Sequence, residues 1–339
     1  MPDICGGPTS EMALAGPERI VRLLRSLGRN DRLPMRLRLA ALTRIVSHRT
    51  IRPTPFEMRL LDSGCLYRGR LDDWMDWNAY FLGGYKRGVL RLFQTAVDAA
   101  APAGEGIAVD VGASVGQMAM SASLAAARVV AIEPSPRIAA ICREHVALNR
   151  LSERITVIEA ALSDANGTAI FFQGADNKGT GTLRDDFNGD PRRAVDVQVW
   201  RGDDLLASLD IPRVDAMKVD CQGMEAQATE GCTQTIARDK PIIIYSLPAF
   251  VYRNARDLSR IRGVLGADYR YFLLRNQFDP KVRIDPFVDP GRYRGSVIFV
   301  AAVPEDRLCA LRRALETLRK PHQIQACARS GAPNCEPPP

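Results

Sequence analysis

The chain has 339 residues, 46% of them hydrophobic and 25% charged, which is ordinary for a globular protein of one large domain or two small ones. Its eight cysteines form no Cys-x-x-Cys pair and it has only three histidines, so neither a disulfide scaffold nor a metal cluster is expected. The formal charge is +7, carried almost wholly by arginine since only six of the 46 basic residues are lysine. No basic-then-apolar leader and no apolar run of membrane-spanning length is visible, which makes the cytoplasm the default expectation.

Residues 1–16 are rich in Gly, Pro and Ser and read as loose. Pro17 to Ser47 reads as largely helical, with Ile20, Leu23, Leu24 and Leu27 on one face, Leu37, Ala40, Ala41 and Ile45 on another, and arginines opposite. Such an arm suits capping or homodimerisation; a basic amphipathic helix on a membrane surface is the competing reading. Arg49 to Pro55 reads as a linker, and the aromatic-rich stretch from Phe56 to Phe93, with Trp74 and Trp77 at i, i+3, as packing or as a lid. The expected organisation is a helical extension or lid over 1–99, a catalytic domain over 100–320 and a disordered tail over 321–339.

Ile107 to Val111 is a short apolar strand ending in a Gly-Ala-x-x-Gly turn, and Gln117 to Ala127 has helix formers at helical spacing. Strand, small-residue turn and helix open an α/β nucleotide site. A dinucleotide fingerprint needs Gly-x-Gly-x-x-Gly, but Asp110 replaces its first glycine, and no Gly-Lys-Ser/Thr follows for a P-loop. An acid there would repel a pyrophosphate and suit the amino group of a methionine moiety. Val129 to Ile132 is a second strand leading to Glu133, whose carboxylate suits a ribose diol. Together these features point to S-adenosylmethionine (SAM); an ordinary βαβ packing turn is the bland alternative.

Ser135 is a natural N-cap and Pro136 a first-turn proline for a helix through Asn149. Ile155 to Glu159 is a third strand, followed by Ala160-Ala161-Leu162-Ser163-Asp164, where an adenine would lie. Thr168–Phe172 and Val195–Val199 read as an inserted antiparallel pair, with the glycine-rich loop 176–182 between them as a plain hairpin loop or a cover over the ligand. Val214–Val219 leads to Asp220, Gly223 to Glu225 starts a helix, and Pro241–Tyr245 is a fifth strand. A helix over Asn254–Leu265, strands over Tyr269–Leu274 and Ser296–Ala302, and a helix over Pro304–Leu318 complete the pattern.

The blocks Val109–Gly116, Ala131–Pro136, Ala160–Asp164 and Asp215–Asp220, supported by Asn177-Lys178-Gly179 and Lys240–Ile243, together resemble the FkbM family of SAM-dependent methyltransferases over roughly residues 80–303. The resemblance implies an α/β fold: the class I methyltransferase Rossmann-like seven-stranded sheet, mostly parallel with the last strand antiparallel. It also implies methyl transfer to oxygen of a small molecule, sugar or natural product. Asp110, Gly112 and Gly116 would hold the methionine end, with Ala113, Ser114, Pro134 and Ser135 around the cofactor. Glu133 would take the ribose, Ala161, Leu162 and Ser163 would lie by the adenine, and Asp220 nearest the methyl group. The chain departs from the family at Cys221-Gln222-Gly223-Met224-Glu225, at Tyr245 where an acid is usual, and at Lys86 where an acid is common.

For a hydroxyl acceptor, Asp220 is the first candidate base and Glu225 the second. Lys218, two residues before Asp220, shares its face and would either pair with it or orient the acceptor. Tyr245 would hydrogen-bond the acceptor or be a core residue, and His145 is expected at the surface. Two alternatives remain: a catalytically inactive SAM-binding regulatory protein, and an RNA methyltransferase, although no RNA-binding module is visible and no nucleic-acid partner is expected.

Overall fold

The computed structural model describes residues 18–49, 51–174, 178–179, 181–184, 192–288, 292–293 and 295–319. Two helices, α1 (Glu18–Arg29) and α2 (Met35–Ile45), are followed by an antiparallel hairpin of β1 (Pro55–Arg59) and β2 (Leu66–Arg70). The extension is therefore not helical alone: after Arg49–Pro55, which carries no regular structure among its described residues before β1, β1 and β2 alternate outward charged residues with inward Met58 and Tyr67, a half-buried strand pattern. Next come α3 (Trp74–Leu82), capped by Asp73 accepting from the N–H groups of Met75 and Asp76, and α4 (Arg87–Ala100). Trp74 and Trp77 stack at 5.4 Å, and Trp77 is wholly buried.

The central unit runs β3 (Gly106–Val111), α5 (Gln117–Ala122), β4 (Ala126–Ile132), α6 (Pro136–Leu148) and β5 (Ile155–Ile158). A separate three-stranded sheet follows, of β6 (Ala161–Ser163), β7 (Gly167–Gly174) and β8 (Arg192–Arg201). β7 and β8 are the expected antiparallel pair, and β6 adds to β8 in parallel. The chain then forms α7 (Gly202–Ser208), β9 (Ala216–Val219), α8 (Glu225–Gly231), α9 (Thr233–Asp239) and β10 (Ile242–Pro248). It closes with α10 (Ala249–Tyr252), α11 (Ala255–Leu265), β11 (Tyr269–Leu274), β12 (Ile284–Pro286), β13 (Val297–Pro304), a short 3-10 turn and α12 (Leu308–Arg319). The tail from 321 and the loop residues Asp176, Asn177 and Thr180 lie outside the described residues.

The main sheet has the order β12-β11-β13-β10-β9-β3-β4-β5. From β10 to β5 every pairing is parallel, while β13 runs antiparallel between β10 and β11. These are the seven strands expected, with the last one antiparallel; β12 is a three-residue addition on the edge. β3 is buried along its whole length because helices cover both faces of the sheet. Its alternation divides the core: Ala108 packs with α3, α4 and α5 on one side, and Ile107, Val109 and Val111 with α7, α8 and α11 on the other. Burying each such valine or isoleucine contributes about 1.5–3 kcal/mol.

The helix after β3 is shorter than expected, ending at Ala122, because Ala126 already belongs to β4. His145, expected at the surface, is 2% exposed. Its ring stacks on Tyr67 at 4.5 Å, and its nitrogens meet the Val115 carbonyl and the Arg68 backbone, fastening α6 to the β1–β2 hairpin.

Candidate functional site

The C-terminal ends of β3, β4 and β9 open into a cleft of about 1070 Å³ including its mouth. The turn after β3 forms its floor. Gly112 has φ +74, and a Cβ there would lie 2.0 Å from the Asp220 carbonyl oxygen, so only glycine lets the β3 and β9 turns meet. The N–H groups of Gly112 and Ala113 both donate to the Ile132 carbonyl at 2.9 Å. Gly116 has φ +88 and sits against Cys142 of α6. The turn is thus locked between the tip of β4 and α6 before any ligand arrives.

Asp110, expected at the methionine end of the ligand, is not among the residues lining this cleft. It is wholly buried, and the β3–β9 register sets it opposite Lys218, whose Nζ donates to Asp110 Oδ1 at 2.9 Å and to the Gly112 carbonyl at 2.9 Å. A carboxylate two residues inside a covered strand needs such a partner. Burial alone would lower the Lys218 pKa, but the Asp110 and Asp220 carboxylates more than offset it and hold the ammonium protonated. Lys218 therefore pairs with Asp110 rather than with Asp220, and it braces the turn.

Glu133 follows β4 and lines the cleft. Its Oε2 accepts from Ser114 N at 2.9 Å and its Oε1 from Ser135 N at 3.0 Å. A carboxylate offers about four acceptor positions, so one on each oxygen remains, the pattern a vicinal diol requires. Burial pushes its pKa up to about 7, against the pull of those two N–H groups. Ser135 also caps α6, accepting from Ile138 N, and its hydroxyl receives Gln173 Nε2 of β7 at 2.6 Å. Ala113, Ser114, Pro134, Ala161 and Leu162 line the cleft as well. Gly116 and Ser163 are absent from the lining: Gly116 packs on Cys142, and the Ser163 hydroxyl turns to Asp164.

At the other end Asp220 follows β9, with Lys86 Nζ on its Oδ2 at 3.2 Å and Gln222 Nε2 on its Oδ1 at 2.9 Å. Burial would raise this carboxyl, yet Lys86 and then Lys218 bring it below the usual carboxylate range. Lys86 lies over the rings of Tyr85 and Phe299, at 5.1 and 4.8 Å from their centroids. Both oxygens of Asp220 are thus engaged, and the carboxylate is fixed in its ionised form.

Glu225 and Tyr245 stand outside the cleft lining. Glu225 is wholly buried and accepts the N–H groups of Cys221 and Gly223, closing the loop that leads into α8. Burial pushes its pKa up to about 8. Tyr245 is 2% exposed and its hydroxyl meets Thr229 Oγ1 at 3.1 Å, which makes it a core residue with a satisfied polar tip.

Met75 and Tyr85 of the N-terminal part and Gln173 of β7 line the cleft and carry no sequence signal of it. Lys178 does carry one, in Asn177-Lys178-Gly179: it lines the cleft, and its ammonium binds Asp76 while its N–H donates to Asp73 at 3.1 Å. Asp76 also accepts from Tyr67 and from Arg70 N. The inserted loop is thereby fastened to the start of α3 across the cleft.

Residues 110–273 match the family described as Methyltransferase FkbM domain. No curated protein matches the chain. Among solved structures, a methyltransferase FkbM from Methylobacillus flagellatus KT is 16% identical with a TM-score of 0.37; the alignment covers 68% of this chain and 61% of that one. The chain thus spans about three fifths of that relative's length. The O-methyltransferase TomG from Streptomyces achromogenes, solved with SAM, is 13% identical over 65% of this chain and 79% of that one, TM-score 0.38. A SAM dependent methyltransferase from Agrobacterium tumefaciens is 8% identical over 74% and 70%, TM-score 0.40.

Proposed function

We propose, from the match of residues 110–273 to the family described as Methyltransferase FkbM domain, that the chain transfers a methyl group from SAM to an oxygen of a small hydroxylated acceptor such as a sugar or natural product. The observation that carries this reading is the Glu133 carboxylate. It is held at the tip of β4 by two backbone N–H groups, with two acceptor positions left, in a cleft that continues to Asp220 and Lys86. The donor set fits the cofactor: an acceptor pair for the ribose, apolar Ala161 and Leu162 beyond it, and no phosphate-binding glycine pattern.

When bound, SAM supplies an electrophilic methyl group on a sulfonium. The chain's own part is alignment and exclusion of water. Glu133 holds the ribose end, and the Gly112–Ser114 turn, braced by Lys218, fixes the floor. Asp220 accepts a hydrogen bond from the acceptor hydroxyl and orients it, while Lys86 keeps that carboxylate in place and charged. The Lys178–Asp76 contact draws the inserted loop over the cleft. Calorimetric titration with SAM, followed by detection of S-adenosylhomocysteine with a panel of hydroxylated compounds, tests the reading. No SAM binding, or binding unchanged in Glu133→Ala, overturns it.

One observation favours a second reading, a SAM-binding protein without turnover. Glu225 and Tyr245 are withdrawn into the core, and Asp220, held below the usual carboxylate range by Lys86 and Lys218, is a weak base. S-adenosylhomocysteine formation with any acceptor rules that out.

A further inference from the structure

The positive charge of the chain is concentrated in one place. Between residues 18 and 52 there are ten arginines against Glu18 and Asp31, a formal +8, while the whole chain is +7; everything else is slightly negative, with 36 basic residues against 37 acidic ones. This segment is the α1–α2 arm and the start of the chain that leaves it.

Part of that charge faces inward. Arg38 is buried and binds Asp31; Arg25 lies 4.4 Å from the Tyr80 ring centre; Arg29 donates to the Tyr80 carbonyl. Asp31 is also taken by Arg87, which in turn holds Asp62, so the arm's acid is neutralised by the body to which the arm is fastened. Six others, Arg22, Arg32, Arg36, Arg44, Arg49 and Arg52, are exposed. Among them stand large aliphatic side chains, with Leu23 69%, Leu37 63% and Ile45 61% exposed.

We propose that the α1–α2 arm docks the protein onto a bilayer surface rich in anionic lipid headgroups. Arginines interleaved with exposed leucine and isoleucine are the composition of an interfacial helix: cations meet phosphate and the aliphatic chains enter the headgroup boundary. Charge complementarity selects this occupant over a second copy of the chain, because an isologous contact would set the outward arginines against themselves. Exposed aliphatic residues select it over a single-stranded nucleic acid, which needs aromatic stacking platforms. Among the described residues no helix is long and apolar enough to cross a membrane, so the association is peripheral. The proposal does not depend on the methyl-transfer reading.

The test is flotation of the full chain with vesicles of phosphatidylcholine alone or mixed with phosphatidylglycerol. Binding is expected only to the anionic vesicles, and it should be lost at about 0.5 M salt, where screening shortens the Debye length to about 4 Å. Arg32→Glu/Arg36→Glu/Arg44→Glu should lower the partition coefficient on the order of 100-fold or more. Leu23→Ser/Leu37→Ser should weaken it while leaving the salt dependence in place. The midpoint of urea unfolding should be unchanged in both variants and reports that they fold. Equal binding to neutral vesicles, no binding to anionic ones, tighter binding to an RNA oligonucleotide than to vesicles, or a dimer that the triple substitution dissociates would each overturn the proposal.

Discussion

Replacing Glu133 should separate the cofactor end of the site from the rest of the molecule. The side chain joins Ser114 and Ser135 and leaves two acceptor positions for a ribose diol. Each charge-assisted hydrogen bond contributes about 1.5–3 kcal/mol. Losing two bonds to the ribose, with water partly replacing them, gives an expected loss on the order of 3–4 kcal/mol, or about 100- to 1,000-fold in Kd for SAM. The pH dependence is a sharper test. Burial lifts the Glu133 pKa to about 7, from an ordinary 4.5. Binding a diol needs the ionised form, so SAM affinity should fall about tenfold per pH unit below about 7. The ligand-free protein should do the opposite: the folded state binds this proton more tightly than the unfolded chain does. Glu133 therefore makes folding less favourable as pH rises from 4.5 to about 7, and this contribution levels off above. Titration calorimetry from pH 8 to 5.5 and urea unfolding over the same range read both slopes. Glu133→Gln should bind weakly and flatten the affinity profile. A wild-type affinity independent of pH, or a Glu133→Ala Kd within threefold of wild type, would refute the assignment of this carboxylate to the ribose.

Three other substitutions follow from the same contacts. Lys86→Met leaves Asp220 charged and buried without its cation, at a cost of about 3–5 kcal/mol, and Lys86→Met/Asp220→Asn should recover most of that stability in urea unfolding without restoring turnover. Tyr245→Phe loses only the Thr229 contact: kcat should stay within twofold and stability should drop by about 1 kcal/mol, whereas a hundredfold loss of kcat at unchanged stability would place the hydroxyl at the acceptor. Glu225, with its pKa raised to about 8 from an ordinary 4.5, makes the fold less stable as pH rises across that interval. Glu225→Gln keeps an oxygen for Cys221 and Gly223, so it should equal or exceed the wild type in stability at pH 8, and thermal melts at pH 5 and 8 would show whether it does.

The elements legible in the sequence were those whose own residues determine them. Ile107–Val111 is apolar and ends at glycine; Ser135-Pro136 states where α6 begins; Tyr269–Leu274 is a strand over the residues read for it. The run from Ala119 to Ala127 has no such signal, since alanine suits either state, and packing of β4 beside β3 decides that the helix stops at Ala122. The β1–β2 hairpin was not read, although Glu57, Arg59, Arg68 and Arg70 alternate with inward Met58 and Tyr67, because each strand is only five residues long. Charge pairing was the least legible, because it depends on register between distant strands: Lys218 and Asp110 lie 108 residues apart, Lys86 and Asp220 134.

Those two pairings move the electrostatic argument for the cofactor. An acid two residues before the Gly112 turn suggested a direct attraction for a cationic amino-acid tail, but the protein neutralises Asp110 with Lys218 and uses the pair to hold the turn. Among the described residues lining the cleft, the carboxylates are Glu133 and Asp220, one at each end. The negative charge that faces the cleft therefore comes from Glu133 and from Asp220, which Lys86 fixes in its ionised form. Lys86 stands where the resembled family commonly has an acid, so in this chain the cation that holds Asp220 is built into the backbone immediately before α4, at φ +51. The following residue, Arg87, binds Asp31 between α1 and α2. Two successive residues thus contact Asp220 at the cleft and Asp31 of the basic arm.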